Sequence, residues 1–244
     1  MRRPVRLLHT SDVHLGPETA ETRDAWEAFE QLIEIANREA ADVLLVAGDL
    51  FESSRVPDTS LRRIERLLRE VPSRVIILPG NHDALDRDSV YHRWPVEEAI
   101  PRVTVLRNPS GDLLRDVAPG LAVWGRATIE HSPAYRPLQG VQPRPADALF
   151  YVIVAHGHVT YPGAVERQSS LISPEELVSV ASDYVALGHT HLYAPIPVEG
   201  VQAWYSGAPT AGGGPGARGH VLLVTLTPGQ PTQVEPISLA AVPR

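Results

Sequence analysis

The chain has 244 residues, a formal net charge of −7 and no cysteine. A hydrophobic fraction of 43% is enough to fill a core, and the lack of cysteine excludes disulfides, thiolate metal sites and a cysteine nucleophile. The acidic balance argues against binding of nucleic acid by bulk charge, so we expect a polyanionic substrate to be held locally. Without a long apolar run or a signal-peptide pattern, we expect a cytoplasmic protein with no membrane partner.

Short runs rich in Val, Ile and Leu recur along the chain and are typical of buried strands. They lie at 5–9, 43–47, 75–78, 103–106, 121–124, 151–155 and 184–187. Between the first three runs, apolar residues fall on one helical face at 25–36 and again at 61–68, the second after a predicted cap at Asp58. A capping-box pattern at 173–176 predicts a third helix. Strands that alternate with helices predict βαβ units and a largely parallel sheet.

The pattern changes after Gly188. Predicted strands at 202–205, 220–226 and 233–237 follow one another without helices, and we expect them to form antiparallel pairs in a second sheet. The Pro-rich stretch 126–148 predicts a long surface loop or lid. Residues 211–219 predict a Gly-rich turn that lacks the ending of a phosphate-binding loop. No long linker interrupts the chain, so 1–244 is expected to form a single domain.

Polar clusters follow five of the predicted strands directly. In open α/β sheets, sites form at the carboxyl ends of strands, so we expect these clusters to meet at one edge. The chemistry-bearing side chains in them are Asp12, His14, Asp49, Asn81, His82, Asp83, His156, His189 and His191.

Seven of these side chains are candidate metal ligands: Asp12, His14, Asp49, Asn81, His156, His189 and His191. Carboxylate, amide and imidazole donors suit Mn, Fe, Zn or Mg. In an extended segment, Asp12 and His14 point the same way, as do His189 and His191. Seven donors exceed one tetrahedral site, but they suit two ions roughly 3.5–4 Å apart with Asp49 as the bridge, which is the arrangement of two-metal phosphoester hydrolysis.

The order of these motifs resembles the calcineurin-like metallophosphoesterase superfamily from about residue 8 to residue 191. HTSDVHLG at 9–16, GDLF at 48–51, ALGHTH at 186–191 and YSGAP at 205–209 look most like the nuclease subunits of SbcCD-type DNA repair complexes. The resemblance implies an α/β fold, a four-layer α-β-β-α sandwich of two mixed sheets flanked by helices. It also implies two divalent metal ions, of which Mn²⁺ is expected first.

The resemblance assigns a role to each motif residue. One ion is expected on Asp12, His14, Asp49 and His191, and the other on Asp49, Asn81, His156 and His189. A hydroxide bridging the two ions is expected to attack phosphorus. His82, oriented by Asp83, is expected to face the scissile phosphate and to stabilise the developing charge or protonate the leaving oxygen.

The chain departs from these nucleases after His191, where about 53 residues follow. Such nucleases usually carry a C-terminal DNA-binding cap domain and often a segment that docks on an ABC-type ATPase, and here we expect no cap and see no docking segment. The leading hypothesis is a two-metal phosphodiesterase or nuclease acting on DNA. The alternatives are a phosphodiesterase or phosphatase for a small nucleotide or other phosphoester and, least favoured because every ligand is present, a non-catalytic scaffold.

Several residues near the motifs have two interpretations. His158 is either a ligand or a loop contact, and Arg55 either contacts a phosphate or is a solvated loop residue. Trp94, with Tyr91, either stacks on a base or anchors a loop to the core, and the second is favoured. His9, inside the first strand, is expected to be a buried, hydrogen-bonded core residue.

Overall fold

The computed structural model describes residues 3–160, 169–210 and 219–239. Most of the predicted Gly-rich turn, residues 211–218, lies outside the described residues. The helices are α1 Arg23–Arg38, α2 Asp58–Arg69, α3 Val90–Arg93, α4 Val96–Ala99 and α5 Pro174–Ser179. The strands are β1 Val5–Thr10, β2 Val43–Ala47, β3 Arg74–Leu78, β4 Val103–Val105, β5 Asp112–Ala118, β6 Leu121–Gly125, β7 Phe150–His156, β8 His158–Val159, β9 Leu171–Ile172, β10 Tyr184–Gly188, β11 Tyr193–Pro195, β12 Ala203–Ser206, β13 His220–Leu226 and β14 Gln233–Ser238.

The first sheet has the order β14-β13-β1-β2-β3-β4. Strands β1 to β4 pair in parallel, as the alternation of strands and helices predicts, while β13 runs antiparallel to β1 and β14 antiparallel to β13. The prediction that the C-terminal strands belong to the second sheet is therefore wrong for β13 and β14. The physical reason is that β13 is buried on both faces: Val221 packs under the helices and Leu222 packs between the sheets.

The second sheet has the order β11-β12-β10-β7-β6-β5. Its four central strands are parallel, and its two edge strands, β5 and β11, are antiparallel to their neighbours. Strand β12 lies in this sheet as expected and pairs antiparallel with β11, but its other neighbour, β10, is parallel to it. The expected antiparallel pairing also holds between β13 and β14, although in the first sheet. Both sheets are mixed, in agreement with the predicted fold class.

Four layers result from the way these sheets bury their faces. Helices α1 and α2 cover the outer face of the first sheet through one apolar cluster, and a second cluster fills the space between the sheets. A third cluster lies on the outer face of the second sheet, where Leu177 of α5 and Leu138 pack on β6, β7 and β10. Five central parallel strands, β1, β2, β3, β7 and β10, thus end beside one another at the carboxyl edges of two facing sheets.

The Pro-rich stretch 126–148 contains no helix or strand, as expected of a loop. It is not a detached lid, however. Tyr135 is 2% and Leu138 5% exposed, and the Tyr135 hydroxyl lies 2.6 Å from the peptide oxygen of Ala127. The stretch is therefore part of the layer that covers the second sheet.

Helix ends agree with the sequence patterns except at one position. The capping box of α5 is present, with Ser173 and Glu176 bonded reciprocally. Asp58 is not the N-cap of α2; that position is Pro57, and the Asp58 carboxylate instead pairs with Arg93 at 2.9 Å. Within the described residues, no helix is long and apolar enough to cross a membrane.

Candidate metal centre

All seven predicted ligands lie at the carboxyl ends of five parallel strands. Asp12 and His14 follow β1, Asp49 follows β2, Asn81 follows β3, His156 ends β7, and His189 and His191 follow β10. The sheets are joined at this edge, because Nδ1 of His156 lies 2.9 Å from the peptide oxygen of Ala47.

One group of donors comes from the loops after β1 and β10. Nε2 of His14 lies 3.3 Å from Nε2 of His191, which in turn lies 3.8 Å from Oδ1 of Asp12. These three residues offer ligand atoms that all lie within 4.8 Å of one another. They match three of the four residues expected on the first ion.

A second group surrounds Asn81. Its Oδ1 lies 2.9 Å from Nε2 of His156 and 2.9 Å from Nδ1 of His189, while Nε2 of His156 lies 3.3 Å from Oδ2 of Asp49. These are the four residues expected on the second ion.

Asp49 lies between the two groups. Its carboxylate belongs to one candidate cluster with His14 and His82 and to another with Asp12 and His156. A carboxylate with two such sets of neighbours fits a bridging role. The sequence predicts His82 as a non-ligand, and the structure adds that its ring lies within ligand distance of this cluster.

Four of the seven predicted ligands have positive φ angles, which non-glycine residues rarely adopt: Asp12 at 54°, His14 at 57°, Asp49 at 53° and His189 at 99°. Two loops hold part of this conformation by pairing with each other: the peptide nitrogens of Asp12 and Val13 donate to the oxygens of Gly48 and Asp49. Backbone strain that is held in this way is typical of a functional site.

Two glycines let the ligands approach the backbone closely. A Cβ at Gly48, whose φ is +95°, would lie 2.0 Å from Nδ1 of His156, and one at Gly80 would lie 2.1 Å from Oδ1 of Asp49. A side chain at either position would overlap a predicted ligand, which explains why glycine precedes Asp49 and Asn81 in these motifs.

The protein groups alone create a strong internal ion pair. Burial by itself raises the pKa of Asp49, but the charge of His156 and its hydrogen bond outweigh burial and hold this pKa well below its usual range. Burial lowers the pKa of His156, yet Asp49 more than compensates and raises it to about 9. Burial and the neighbouring His156 lower the pKa of His189 to about 4.

Asp83 has a different position from the one expected. Its carboxylate accepts hydrogen bonds from the peptide nitrogens of Gly80 and Phe51 and from the Tyr91 hydroxyl, so it does not orient His82. Burial and the charge of Asp49 raise the pKa of Asp83 to about 6. The side chain ties the loop after β3 to the loop after β2 and places Asn81 and His82 indirectly.

Sequence reasoning missed several residues that support the ligands. Ser11 donates to Asp12 and lies 2.8 Å, Oγ to Oγ, from Ser206 of the YSGAP motif, to which the sequence assigns no role. Glu52 lies 2.9 Å from Nδ1 of His14, and the phenol of Tyr91 holds Asp83. The sequence feature that could have identified Glu52 is its position three residues after Asp49, a predicted ligand.

The structure places each of the residues near the motifs. His9 is fully buried, with Nδ1 2.9 Å from the Tyr184 hydroxyl, as expected of a core residue. Trp94 is 1% exposed and packs on Phe51, which confirms the anchoring role. Arg55 is exposed on its loop, and the His158 ring lies 6.3 Å from that of His189, outside the ligand clusters of the described residues.

The donor set fits two divalent cations. Nε2 of His14 and Nε2 of His191 face each other at 3.3 Å, so at most one proton lies between them. A cation bound there would accept the lone pairs of both nitrogens. The carboxylates of Asp12 and Asp49 are buried, at 0% and 2% exposure, and such cations would offset their charge. Oxygen and nitrogen donors without thiolates accept several metals.

Comparison with known proteins agrees with this geometry. The family model described as "Calcineurin-like phosphoesterase" matches residues 5–193. The DNA double-strand break repair protein Mre11 of Methanopyrus kandleri is 30% identical over 225 residues, which are 84% of this chain and 49% of that protein. A subunit of the nuclease SbcCD of Escherichia coli K12 is 36% identical over 87 residues, which are 33% of this chain and 22% of that protein.

The fold has counterparts among solved structures. The crystal structure of TT1561 of Thermus thermophilus superposes with a TM-score of 0.59 at 14% identity, covering 91% of this chain and 98% of that one. In alignments of 201–225 residues, the chain spans about half the length of the curated relatives it matches. From the matched family model, which agrees with the geometry of the candidate ligands, the chain belongs to the calcineurin-like phosphoesterase family.

Proposed function

We propose that the protein hydrolyses phosphodiester bonds in DNA with two divalent metal ions, Mn²⁺ first among them. The observation that carries the proposal is the meeting of oxygen and nitrogen donors from five strand ends at one edge, with Asp49 between the two groups. The curated relatives named for DNA repair support DNA as the substrate.

Seven side chains would hold the ions: Asp12, His14, Asp49 and His191 the first, and Asp49, Asn81, His156 and His189 the second. Two cations bound there supply Lewis acidity, because they neutralise phosphate oxygens and lower the pKa of a water nucleophile. The protein contributes the fixed spacing of the donors and their burial.

His82 is proposed as the proton donor to the leaving oxygen. Its Nδ1 lies 3.0 Å from the peptide oxygen of Glu52, which only accepts, so Nδ1 carries a proton and Nε2 faces away from Glu52. The side chain is 41% exposed, so a substrate reaches Nε2. A protonated Nε2 beside the scissile bond donates to the departing oxygen. Asp83 acts here as a positioning residue, through the loop that carries His82.

Two exposed apolar side chains follow His191 directly and favour a nucleic-acid substrate. Leu192 is 70% and Tyr193 is 41% exposed. An exposed aromatic ring beside a phosphodiester site provides a stacking surface for a base. By analogy with the relative named as a subunit of SbcCD, we extend the proposal to an ABC-type ATPase partner.

A small nucleotide or other phosphoester is the second candidate substrate. The net charge of −7 favours it, because a long polyanion meets more repulsion from an acidic protein than a small ester does. A non-catalytic scaffold is disfavoured by the complete ligand set.

The test is an assay of the purified protein with Mn²⁺ on single- and double-stranded DNA, bis-p-nitrophenyl phosphate, p-nitrophenyl phosphate and cyclic nucleotides. We expect DNA and the diester to be cleaved, with activity lost in EDTA and restored by excess Mn²⁺. Cleavage of small esters alone would replace the DNA proposal with the second candidate. No cleavage of any substrate would contradict both.

A further inference from the structure

Glu52 lies between a metal ligand and the histidine proposed as proton donor. Its Oε2 is 2.9 Å from Nδ1 of His14, and its Oε1 is 3.7 Å from Nδ1 of His82. We propose that Glu52 is a positioning residue whose carboxylate accepts the Nδ1 proton of His14 and so directs the Nε2 lone pair of that ring toward the metal centre. The inference rests on the proposed use of His14 as a ligand.

The direction of the His14 ring identifies which nitrogen binds metal. Nε2 faces Nε2 of His191 at 3.3 Å, on the side where Asp12 completes the cluster. A neutral imidazole has one N–H, so a ligating Nε2 requires the proton on Nδ1. That Nδ1 is buried and has no well-aligned hydrogen bond as the ring stands. It therefore needs an acceptor, and the Glu52 carboxylate is within reach.

The backbone around Glu52 is fixed, which makes its side chain a suitable acceptor. The Glu52 peptide nitrogen donates to Leu15 at 3.0 Å, and its peptide oxygen lies 3.0 Å from Nδ1 of His82. The carboxylate itself is 56% exposed, so a small rotation brings it into line with the Nδ1–H of His14 without repacking the core. One residue thus fixes two rings, His14 through its side chain and His82 through its main chain.

A carboxylate behind a ligating histidine fixes the tautomer and makes the ring a better donor. Loss of such a partner lowers metal affinity about 10- to 100-fold. Removing the Glu52 side chain is expected to weaken binding of the ion that His14 is proposed to hold. The contact to His82 is expected to persist, because it uses the peptide oxygen.

The test compares wild type with Glu52→Ala, Glu52→Gln and, as the matched control, Glu34→Ala. Glu34 is exposed on α1, so its replacement removes the same charge and side chain away from the site. Mn²⁺ binding is measured by calorimetry, and the His14 tautomer by ring ¹⁵N shifts in the protein loaded with Zn²⁺. Neither readout depends on turnover of DNA.

We expect Glu52→Ala to weaken one of two Mn²⁺ sites about 10- to 100-fold and to mix the His14 tautomers. Glu52→Gln keeps an acceptor oxygen and the side-chain volume, so it should retain most of the affinity and the tautomer, and Glu34→Ala should match wild type. Unchanged Mn²⁺ affinity and tautomer in Glu52→Ala would overturn the inference. If the wild type binds two Mn²⁺ ions yet cleaves no DNA, the proposed function fails while this inference is still decided by the binding data.

Discussion

At the scale of single residues, the site combines buried carboxylates with imidazoles that offset their charge. Asp49 and His156 form an ion pair between the sheets, and Asp12 accepts from the peptide nitrogen of His189 at 3.0 Å. His82 differs from these because it is exposed and its Nδ1 faces a peptide oxygen. The buried residues Asp12, Asp49 and His156, which are proposed to hold metal, thus have surroundings different from those of His82, which is proposed to donate a proton.

Replacing His82 with Ala should leave metal content near normal and lower turnover about 100- to 10,000-fold, the usual contribution of a general acid. The reason is that the seven proposed ligands stay in place while the proton donor is lost. Metal content is measured by elemental analysis and turnover with bis-p-nitrophenyl phosphate. Turnover close to wild type would remove His82 from the mechanism.

His9 makes the stability of the protein depend on pH. Burial lowers its pKa from 6.5 to about 3, so between these values the unfolded chain binds a proton that the folded chain does not. Above pH 6.5, His9 is neutral in both the folded and the unfolded chain and does not change the free energy of unfolding. As pH drops below that value, the free energy of unfolding falls, by about 2 kcal/mol between pH 7 and pH 5.

The measurement is urea unfolding in EDTA at both pH values, for wild type and His9→Asn. The Asn side chain replaces the nitrogen that faces Tyr184 but does not titrate. The variant should lose about 2 kcal/mol less on acidification than wild type does. An equal loss in both proteins would show that His9 does not titrate as proposed.

At the scale of elements, the loops after β1 and β2 form a paired unit that carries three ligands. The peptide nitrogen of Leu15 donates to Leu50, extending the pairing that begins at Asp12. Because the loops hold each other, the positive φ angles of Asp12, His14 and Asp49 persist. Gly48 lies at the centre of this unit.

Gly48→Ala should abolish tight Mn²⁺ binding, because the new Cβ would meet His156 at 2.0 Å. Gly200→Ala is the control: its φ is +76° and nothing lies within 4 Å of the new Cβ. Both variants bear the left-handed backbone strain of about 1–2 kcal/mol, and only Gly48→Ala displaces a ligand. Calorimetry with Mn²⁺ checks this, and equal affinities in the two variants would count against the close approach.

At the scale of the whole molecule, the centre is built from both sheets. Asp12, Asp49 and Asn81 come from the first sheet, and His156 and His189 from the second. Cations bound there would link the two sheets and relieve the repulsion of the buried carboxylates, so binding should add to global stability.

Removal of metal should lower the melting temperature. A ligand at 100 times its Kd adds about 2.7 kcal/mol, which for a chain of this size corresponds to roughly 5–10 °C. Scanning calorimetry with EDTA and with excess Mn²⁺ measures the shift. His82→Ala should show the same shift, since His82 is not a proposed ligand, and a melting temperature independent of Mn²⁺ would contradict the assignment.

Much of the site could be predicted from the sequence because the candidate ligands directly follow predicted strands. Apolar runs define β1, β2, β3, β7 and β10, and the carboxyl end of a buried parallel strand is where a polar side chain meets its neighbours. The convergence of Asp12, Asn81 and His191 follows from local pattern and the geometry of parallel sheets. Family membership follows from the same motifs.

Only the tertiary structure shows that β13 and β14 belong to the first sheet, because the pattern of apolar residues within a strand does not specify which strand pairs with it. It also decided the partners of Asp83, which bonds to Gly80, Phe51 and Tyr91 rather than to the adjacent imidazole. Hydrogen bonds between residues distant in the chain depend on how loops pack. Sequence by itself therefore determined which candidate ligands meet at this edge, while packing determined which neighbours hold each of these side chains in place.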